Sequence, residues 1–433
     1  MLSIAGFLMI IAFMTLIMTK KLSPMIALML VPIVFALGLG FPIEAIGKMS
    51  MEGVKKVAST GIMLFFAIIY FSLLLEAGMF NPMIKKILQW VKGDPVKLCL
   101  GAALLSTCIS FDGDGSTTYL ICSSALFLAF RKVNIRPVIL PAIVLLQNSV
   151  MNIIPWGGPT ARVLASLNLE LAEVFTPMIP GMILGTIYVW FMAYYWGKQE
   201  RKRLGHVDWT EADAEVDSIE GMGDNPEILR PKLVMFNFIL TVVIMVLLIK
   251  EVMPSSILFM IGTGIALMVN YPNMKVQNER ISSVGSNAVP VVGMIFGAGI
   301  LTGVMTGTKM IDAMSATILT WIPETMGPHL GVLSAFLSLP GVFFLTNDAY
   351  YFGVLPILNH AAATYGVPAA QMGIAALIGQ GAHLLSPLVP STYLLVGLNK
   401  IEFADLQKFA LLPAIGVSII WLLTAMALGL ITW

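Results

Sequence analysis

Apolar runs long enough to cross a bilayer recur along the whole chain, and four of them are broken at their middle by Pro, Gly and polar residues. A spanning helix needs ~20 mostly apolar residues. Unbroken runs stand at about 2–19, 24–42, 59–79 and 177–197, and again at about 232–250, 255–271, 291–311 and 408–432. Longer, interrupted runs stand at about 97–130, 136–170, 328–361 and 366–399. In hydrocarbon every backbone N–H and C=O must find its partner within the protein, so helices are the expected element. Non-helical backbone at that depth is tolerated only where it is buried in protein or lines a wet cavity.

Composition agrees with a membrane chain. Of 433 residues, 58% are hydrophobic and only 11% charged, with a mean hydropathy of +0.89. A soluble domain carries about 25% charged residues. The formal net charge of +1 gives no reason to expect nucleic acid as a partner, and no zinc-type Cys/His cluster, Walker loop or dinucleotide fingerprint is present. Cys99, Cys108 and Cys122 share one apolar region and read as small buried hydrophobes. The first run, Leu2 to Thr19, lacks a basic leader and a small-x-small cleavage site, so a retained helix is expected.

One long hydrophilic segment, 198–231, separates a first half (1–197) from a second (232–433). The halves align in order at an offset of roughly 231–234: Met79-Phe80-Asn81 with Met310-Ile311-Asp312, Asp114 with Asp348, Pro155 with Pro387, Thr160 with Thr392. Internal symmetry of this kind marks transporter repeats. The 97–130 and 328–361 regions are long enough for two half-depth arms joined at a polar tip, a re-entrant hairpin. The 136–170 and 366–399 regions read as single crossings unwound in the middle. Each half then crosses about five times, and an odd count inverts the second half. The expected fold is an all-α polytopic membrane protein of two inverted repeats, each with a re-entrant hairpin and a broken transmembrane helix.

This topology places Lys20-Lys21, Lys85-Lys86, Lys92, Lys97, Arg131-Lys132, Arg136 and the Lys198–Arg203 run on one side. By the positive-inside rule that side is the cytoplasm, with both termini outside and the chain in the cell membrane among lipid. Lys48, Lys55 and Lys56 fall on the outer side, in an amphipathic stretch expected along the interface.

The chemistry should lie at the four interruptions: 111–119 (FDGDGSTTY), 152–160 (NIIPWGGPT), 345–353 (LTNDAYYFG) and 384–392 (LLSPLVPST). Half-helix N-termini attract anions, and unwound carbonyls and hydroxyls can hold cations. Asp112, Asp114 and Asp348 stand in apolar surroundings, where each charge costs ~2.5–3.5 kcal/mol at helix centre. No Lys or Arg stands at the same tips, so a bound cation or a proton is the expected compensation. Arg162 is a candidate partner for a substrate carboxylate. His383 is first a packing histidine and second a proton group. Three classes remain open at this point: a transporter, an intramembrane enzyme using paired aspartates, and a channel lined by the Asp/Asn tips.

The segments FDGDGSTTYL, NIIPWGGPTAR, TGTKMIDAM, TNDAYYFGVLPIL and LLSPLVPSTYLLVGL, followed by QKFAL, resemble the citrate–metal–proton symporter family (CitMHS) of the ion transporter superfamily. The resemblance runs essentially the full length. It implies proton-driven uptake of citrate complexed with a divalent metal of the Mg or Ca type, a homodimer, and a transport part that moves as an elevator against a scaffold. Related sodium-coupled dicarboxylate carriers have Ser-Asn-Thr at both tips. Here the tips read Asp112-Gly-Asp-Gly-Ser-Thr-Thr and Thr346-Asn347-Asp348, which adds negative charge and speaks against sodium. Three acids would repel free citrate and favour its metal complex. On this reading Gly115, Ser116, Thr117, Asn152, Gly157, Gly158, Thr160, Arg162, Thr346, Asn347, Ser391 and Thr392 line the substrate site. Asp112, Asp114 and Asp348 serve metal contact or proton coupling, with His383 and Tyr350 as secondary candidates. A sodium- or proton-coupled carrier of another di- or tricarboxylate is the alternative.

Overall fold

The computed structural model describes residues 2–432 apart from 92, 114, 205–226, 251 and 321–322. Among the described residues the regular structure is helical throughout, without strands. The first half contains α1 (Leu2–Met18), α2 (Pro24–Gly38), α3 (Ile43–Glu76), α4 (Asn81–Val91), α5 (Pro95–Ile109), α6 (Gly115–Lys132), α7 (Ile139–Met151), α8 (Gly158–Leu167) and α9 (Leu171–Leu204). The second contains α10 (Val234–Ile249), α11 (Ser255–Asn270), α12 (Met274–Gly307), α13 (Met310–Leu319) and α14 (Leu330–Phe344). A π-helical turn (Ala349–Val354) then leads into α15 (Leu355–Ala363), followed by α16 (Ala369–Leu377), α17 (Gln380–His383), α18 (Pro390–Asn399) and α19 (Phe403–Ala427). The order and lengths recur between halves: α3 and α12 have 34 residues each, α5 and α14 have 15, and α8 and α18 have 10.

Two helices differ from the sequence expectation. The apolar run at 59–79 belongs to a helix that starts at Ile43, so Lys48, Lys55 and Lys56 ride on the spanning helix itself rather than on a separate interfacial stretch. Ile46, Gly53 and Val57 explain this: seven and four residues apart, they form one buried stripe that keeps the charged turns packed. The run at 291–311 likewise belongs to a helix that starts at Met274. The Asn273 side chain caps it by accepting from the Lys275 and Val276 amides at 2.9 and 3.4 Å. At 1.5 Å per residue each 34-residue helix is about 51 Å long, well beyond a hydrocarbon core of about 30 Å.

The helices pack in two groups. α3 and α12 run against each other, with α11 on α3, α2 on α12 and α1 on α13. The other group joins α5 to α9, α6 and α7, α19 to α9, α14 to α16 and α17, and α18 to α6. Helix α8 touches both groups, through α3 and α12 on one side and α16 and α9 on the other. The α3–α12 contact is backbone on backbone. A β-carbon at Gly53 would collide with the Gly299 carbonyl oxygen, and one at Gly303 would stand 3.0 Å from the Gly53 Cα. Small residues are what let two helices approach this closely in lipid. Gly53→Ala is therefore expected to destabilise the protein by about 1–3 kcal/mol. Thermal unfolding in detergent checks this, and an unchanged Tm would show that the helices separate freely.

Polar pairs fix the remaining registers. Asn237 of α10 and Asn270 of α11 exchange two amide hydrogen bonds of 2.9 and 2.8 Å. At the end of α9, the buried Glu200 accepts from Arg136 Nε at 2.6 Å and from Arg203, while Arg201 pairs with Asp94 at the start of α5.

Candidate functional site

Each interrupted run folds as helix, gap, helix. In the first hairpin, α5 ends in a single 3₁₀ turn (Ser110–Asp112), and Gly113 at φ +80° turns the chain into α6. That left-handed conformation suits glycine. In the first broken helix, α7 stops at Met151 and α8 restarts at Gly158. Thr160 closes the gap: its hydroxyl donates to the Ile153 carbonyl at 2.7 Å. The second broken helix uses the same device, with the Thr392 hydroxyl on the Leu384 carbonyl at 2.5 Å. Both threonines are fully buried. Thr160 and Thr392, expected at the substrate site, give their hydroxyl protons to carbonyls that the unwinding frees.

The tip of each hairpin meets the broken helix of the other half. At the first tip, a β-carbon on Gly115 would stand 3.0 Å from Asn148 Nδ2 in α7 and 3.6 Å from Ser391 Oγ in α18. Ser116 and Thr117 follow, half-buried, in the first turn of α6. At the second tip, Asp348 Oδ1 accepts from Arg162 Nε of α8 at 2.7 Å. The two side chains are 11% and 15% exposed, so this is a largely buried pair. Arg162 Nη1 also donates to the Gly158 carbonyl at 2.9 Å, which folds the guanidinium back over the start of its own helix. The sequence shows no basic residue at this tip, and the structure supplies one from an arginine 186 residues away in the chain. It also shows Arg162 engaged by a protein carboxylate. Thr346 caps the restarting helix, its hydroxyl accepting from the Ala349 amide at 3.2 Å.

A third connection crosses the halves through Gln380, a fully buried amide at the start of α17. Its Nε2 donates to Asn347 Oδ1 at 2.9 Å and to the Tyr351 hydroxyl at 2.8 Å, and its Oε1 accepts from Asn152 Nδ2 at 3.3 Å. Asn152 and Asn347, both expected at the site, are thus brought together. Sequence reasoning misses Gln380; a lone Gln between two glycines in the run LIGQGAH is the available signal. Trp156 braces the first gap from behind. Its indole N–H donates to the Phe111 carbonyl at 2.8 Å, and its ring stacks on Phe71 of α3 at 4.4 Å.

The secondary candidates are both buried. His383 sets Nδ1 2.6 Å from the Val342 carbonyl oxygen and packs between α14 and α17. Tyr350 is 2% exposed, its ring edge-on to Tyr351. Asp114 and the side chain of Asp112 lie outside the described residues. Among the described residues no group of three His, Cys, Asp or Glu could hold a metal ion on protein ligands alone.

A family model described as citrate transporter (CitMHS) matches residues 13–379. The chain belongs to the citrate transporter family. Curated relatives extend the likeness to the whole length. A citrate transporter of Bacillus subtilis is 50% identical over 100% of both chains. The Mg(2+)/citrate complex secondary transporter of the same organism is 44% identical over 100% of this chain and 99% of its own. The crystal structure of the Alcanivorax borkumensis YdaH transporter, described as having an unusual topology, superposes with a TM-score of 0.57 at 12% identity. It covers 89% of this chain and 88% of that one, a likeness of fold alone. Members of the citrate transporter family move a solute and are not enzymes, so the paired-aspartate enzyme reading is set aside. The chain is thus an all-α, multi-span member of the citrate transporter family.

Proposed function

We propose that the chain is a secondary active transporter that takes up citrate complexed with a divalent metal ion of the Mg or Ca type, coupled to protons. The observation that carries this is the Arg162–Asp348 pair at the meeting point of a hairpin tip and a half-helix N-terminus. Helices α6, α8 and α18 begin at interruptions, and the positive ends of their dipoles favour an anion. Arg162 is the cation that suits a carboxylate, and Asp348 competes for it. Protonating Asp348 would release the guanidinium to a citrate carboxylate, so proton and cargo would load together. The metal is part of the cargo. It masks most of the citrate charge, so the complex can approach a site that also carries Asp112 and Asp114. The Bacillus subtilis relative named for the Mg(2+)/citrate complex, 44% identical, supports this choice.

The remaining features follow the same reading. The recurring helix order supports two inverted repeats, and the two packing groups suit a scaffold (α1–α3, α10–α13) and a moving part, as in an elevator-type homodimer. Arg136, Arg201 and Arg203 gather at one end of the molecule, which suits a cytoplasmic face with both termini outside.

Radiolabelled citrate uptake into proteoliposomes tests the proposal. Mg²⁺, Ca²⁺ and Zn²⁺ are varied with and without an inward proton gradient, in wild type and in Asp348→Asn. Uptake should require both a divalent metal and the gradient in wild type, and lose its gradient dependence in Asp348→Asn. Uptake that persists when the metal is chelated would remove the complexed cargo. Uptake driven by sodium instead of protons would favour a carrier of the other kind.

A further inference from the structure

We infer that Gln380 is a positioning residue that fixes which ends of Asn152 and Asn347 the cargo meets; this rests on the citrate reading of the same site. One group in the network has a polarity that cannot change. The Ala376 backbone carbonyl can only accept, and the Tyr351 hydroxyl donates to it at 3.2 Å. The single proton of that hydroxyl is then committed, so its oxygen accepts from Gln380 at 2.8 Å. An NH₂ group must therefore occupy this end of the Gln380 amide. The same NH₂ supplies its second proton to Asn347 Oδ1 at 2.9 Å. The other end of Gln380 is an oxygen, and it takes a proton from Asn152 Nδ2 at 3.3 Å.

One carbonyl thus sets the orientation of three amides in sequence. Asn347 turns its oxygen to Gln380 and keeps its NH₂, two donors, away from it. Asn152 turns an N–H to Gln380 and keeps its oxygen away. Both residues are part-exposed, whereas Gln380 and Tyr351 are fully buried. The cargo therefore meets a donor from the second hairpin tip and an acceptor from the first broken helix. A citrate carboxylate fits the donor. The citrate hydroxyl or a metal-bound water fits the acceptor. A binding amide free to flip would be an ambiguous reader of such a cargo, and Gln380 removes that freedom.

Gln380→Glu and Tyr351→Phe test the chain of bonds in the uptake assay, measured across a pH series. The carboxylate introduced by Gln380→Glu, when ionised, still accepts from Asn152 but has no proton for Asn347. Asn347 must then reverse and turn its NH₂ to that carboxylate, which leaves its oxygen for the cargo. The KM for citrate should rise about tenfold or more relative to wild type at the alkaline end of the series, where the introduced carboxyl is ionised, with a smaller change in maximal rate. Acidification that protonates the introduced carboxyl restores a donor, so the gap to wild type should close as pH falls. Tyr351→Phe keeps the ring and removes the fixed acceptor, and its KM should rise about three- to tenfold with no such rescue. Unchanged KM in both variants, or a Gln380→Glu defect that does not shrink in acid, would overturn the inference. Should Gln380→Glu fail to fold, Tyr351→Phe decides alone. Wild-type uptake indifferent to metal would sink the complexed-cargo reading instead, and leaves this comparison intact because it is scored on citrate itself.

Discussion

Replacing Arg162 with glutamine is expected to lower stability by about 3–5 kcal/mol and to abolish citrate uptake. Both partners of the Arg162–Asp348 pair are largely buried, so removing one leaves an uncompensated charge in a low-dielectric site. Glutamine can offer Asp348 a hydrogen bond but no charge. The double variant Arg162→Gln/Asp348→Asn removes both charges, and most of the lost stability should return because no ion remains unpaired. Uptake should stay lost, since the guanidinium proposed to take the carboxylate is absent. Thermal unfolding in detergent and proteoliposome uptake on the same preparations separate the two effects. A single variant as stable as wild type would mean that Arg162 is not what balances Asp348.

The second large effect is expected at Gly157, with Gly158 as its matched control. A β-carbon at Gly157 would collide with the Asn152 carbonyl oxygen and stand 3.0 Å from the Ile154 carbonyl oxygen. Both obstacles are backbone inside the gap between α7 and α8, so the chain itself must shift. A β-carbon at Gly158 would meet only the Arg162 guanidinium, at 2.8 Å, and that is the far end of a flexible side chain. Gly157→Ala should therefore cost about 1–3 kcal/mol and most of the uptake, because it deforms the gap that holds Asn152 and starts α8. Gly158→Ala should keep the fold and weaken cargo affinity, because it displaces Arg162. Equal behaviour of the two variants in both assays would refute this distinction.

The interruptions are legible because Pro and Gly clusters inside apolar runs admit few alternatives in a membrane. The gaps at 152–157 and 345–348 fall within segments marked out from sequence. What the sequence hides falls into two kinds. Hydropathy windows end where charge begins, so 59–79 and 291–311 mark only the apolar parts of α3 and α12, although the helical period runs on through Ile46, Gly53 and Val57. Partnerships across the halves are hidden for another reason. Arg162 and Asp348 are 186 residues apart, and nothing local to either tip announces the other. Thr160 and Thr392 stand out by their place in the repeat but not by their task, since a hydroxyl near a gap reads equally well as a ligand or as a clasp. Gln380 escapes notice because a single amide in an apolar run carries little signal until its three partners are known.

Those two clasps bear on the part of the cycle in which nothing is carried. Each gap is held open by a threonine bonding a carbonyl seven or eight residues back in the same chain. These bonds lie within the protein, so forming them belongs to folding and not to loading, and loading should sacrifice little conformational entropy. A carrier built this way can reset without its cargo as a template. Its unloaded return should then be about as ordered as its loaded passage, so cargo trapped on the far side would speed exchange less than it does in a carrier that must assemble its site around each molecule.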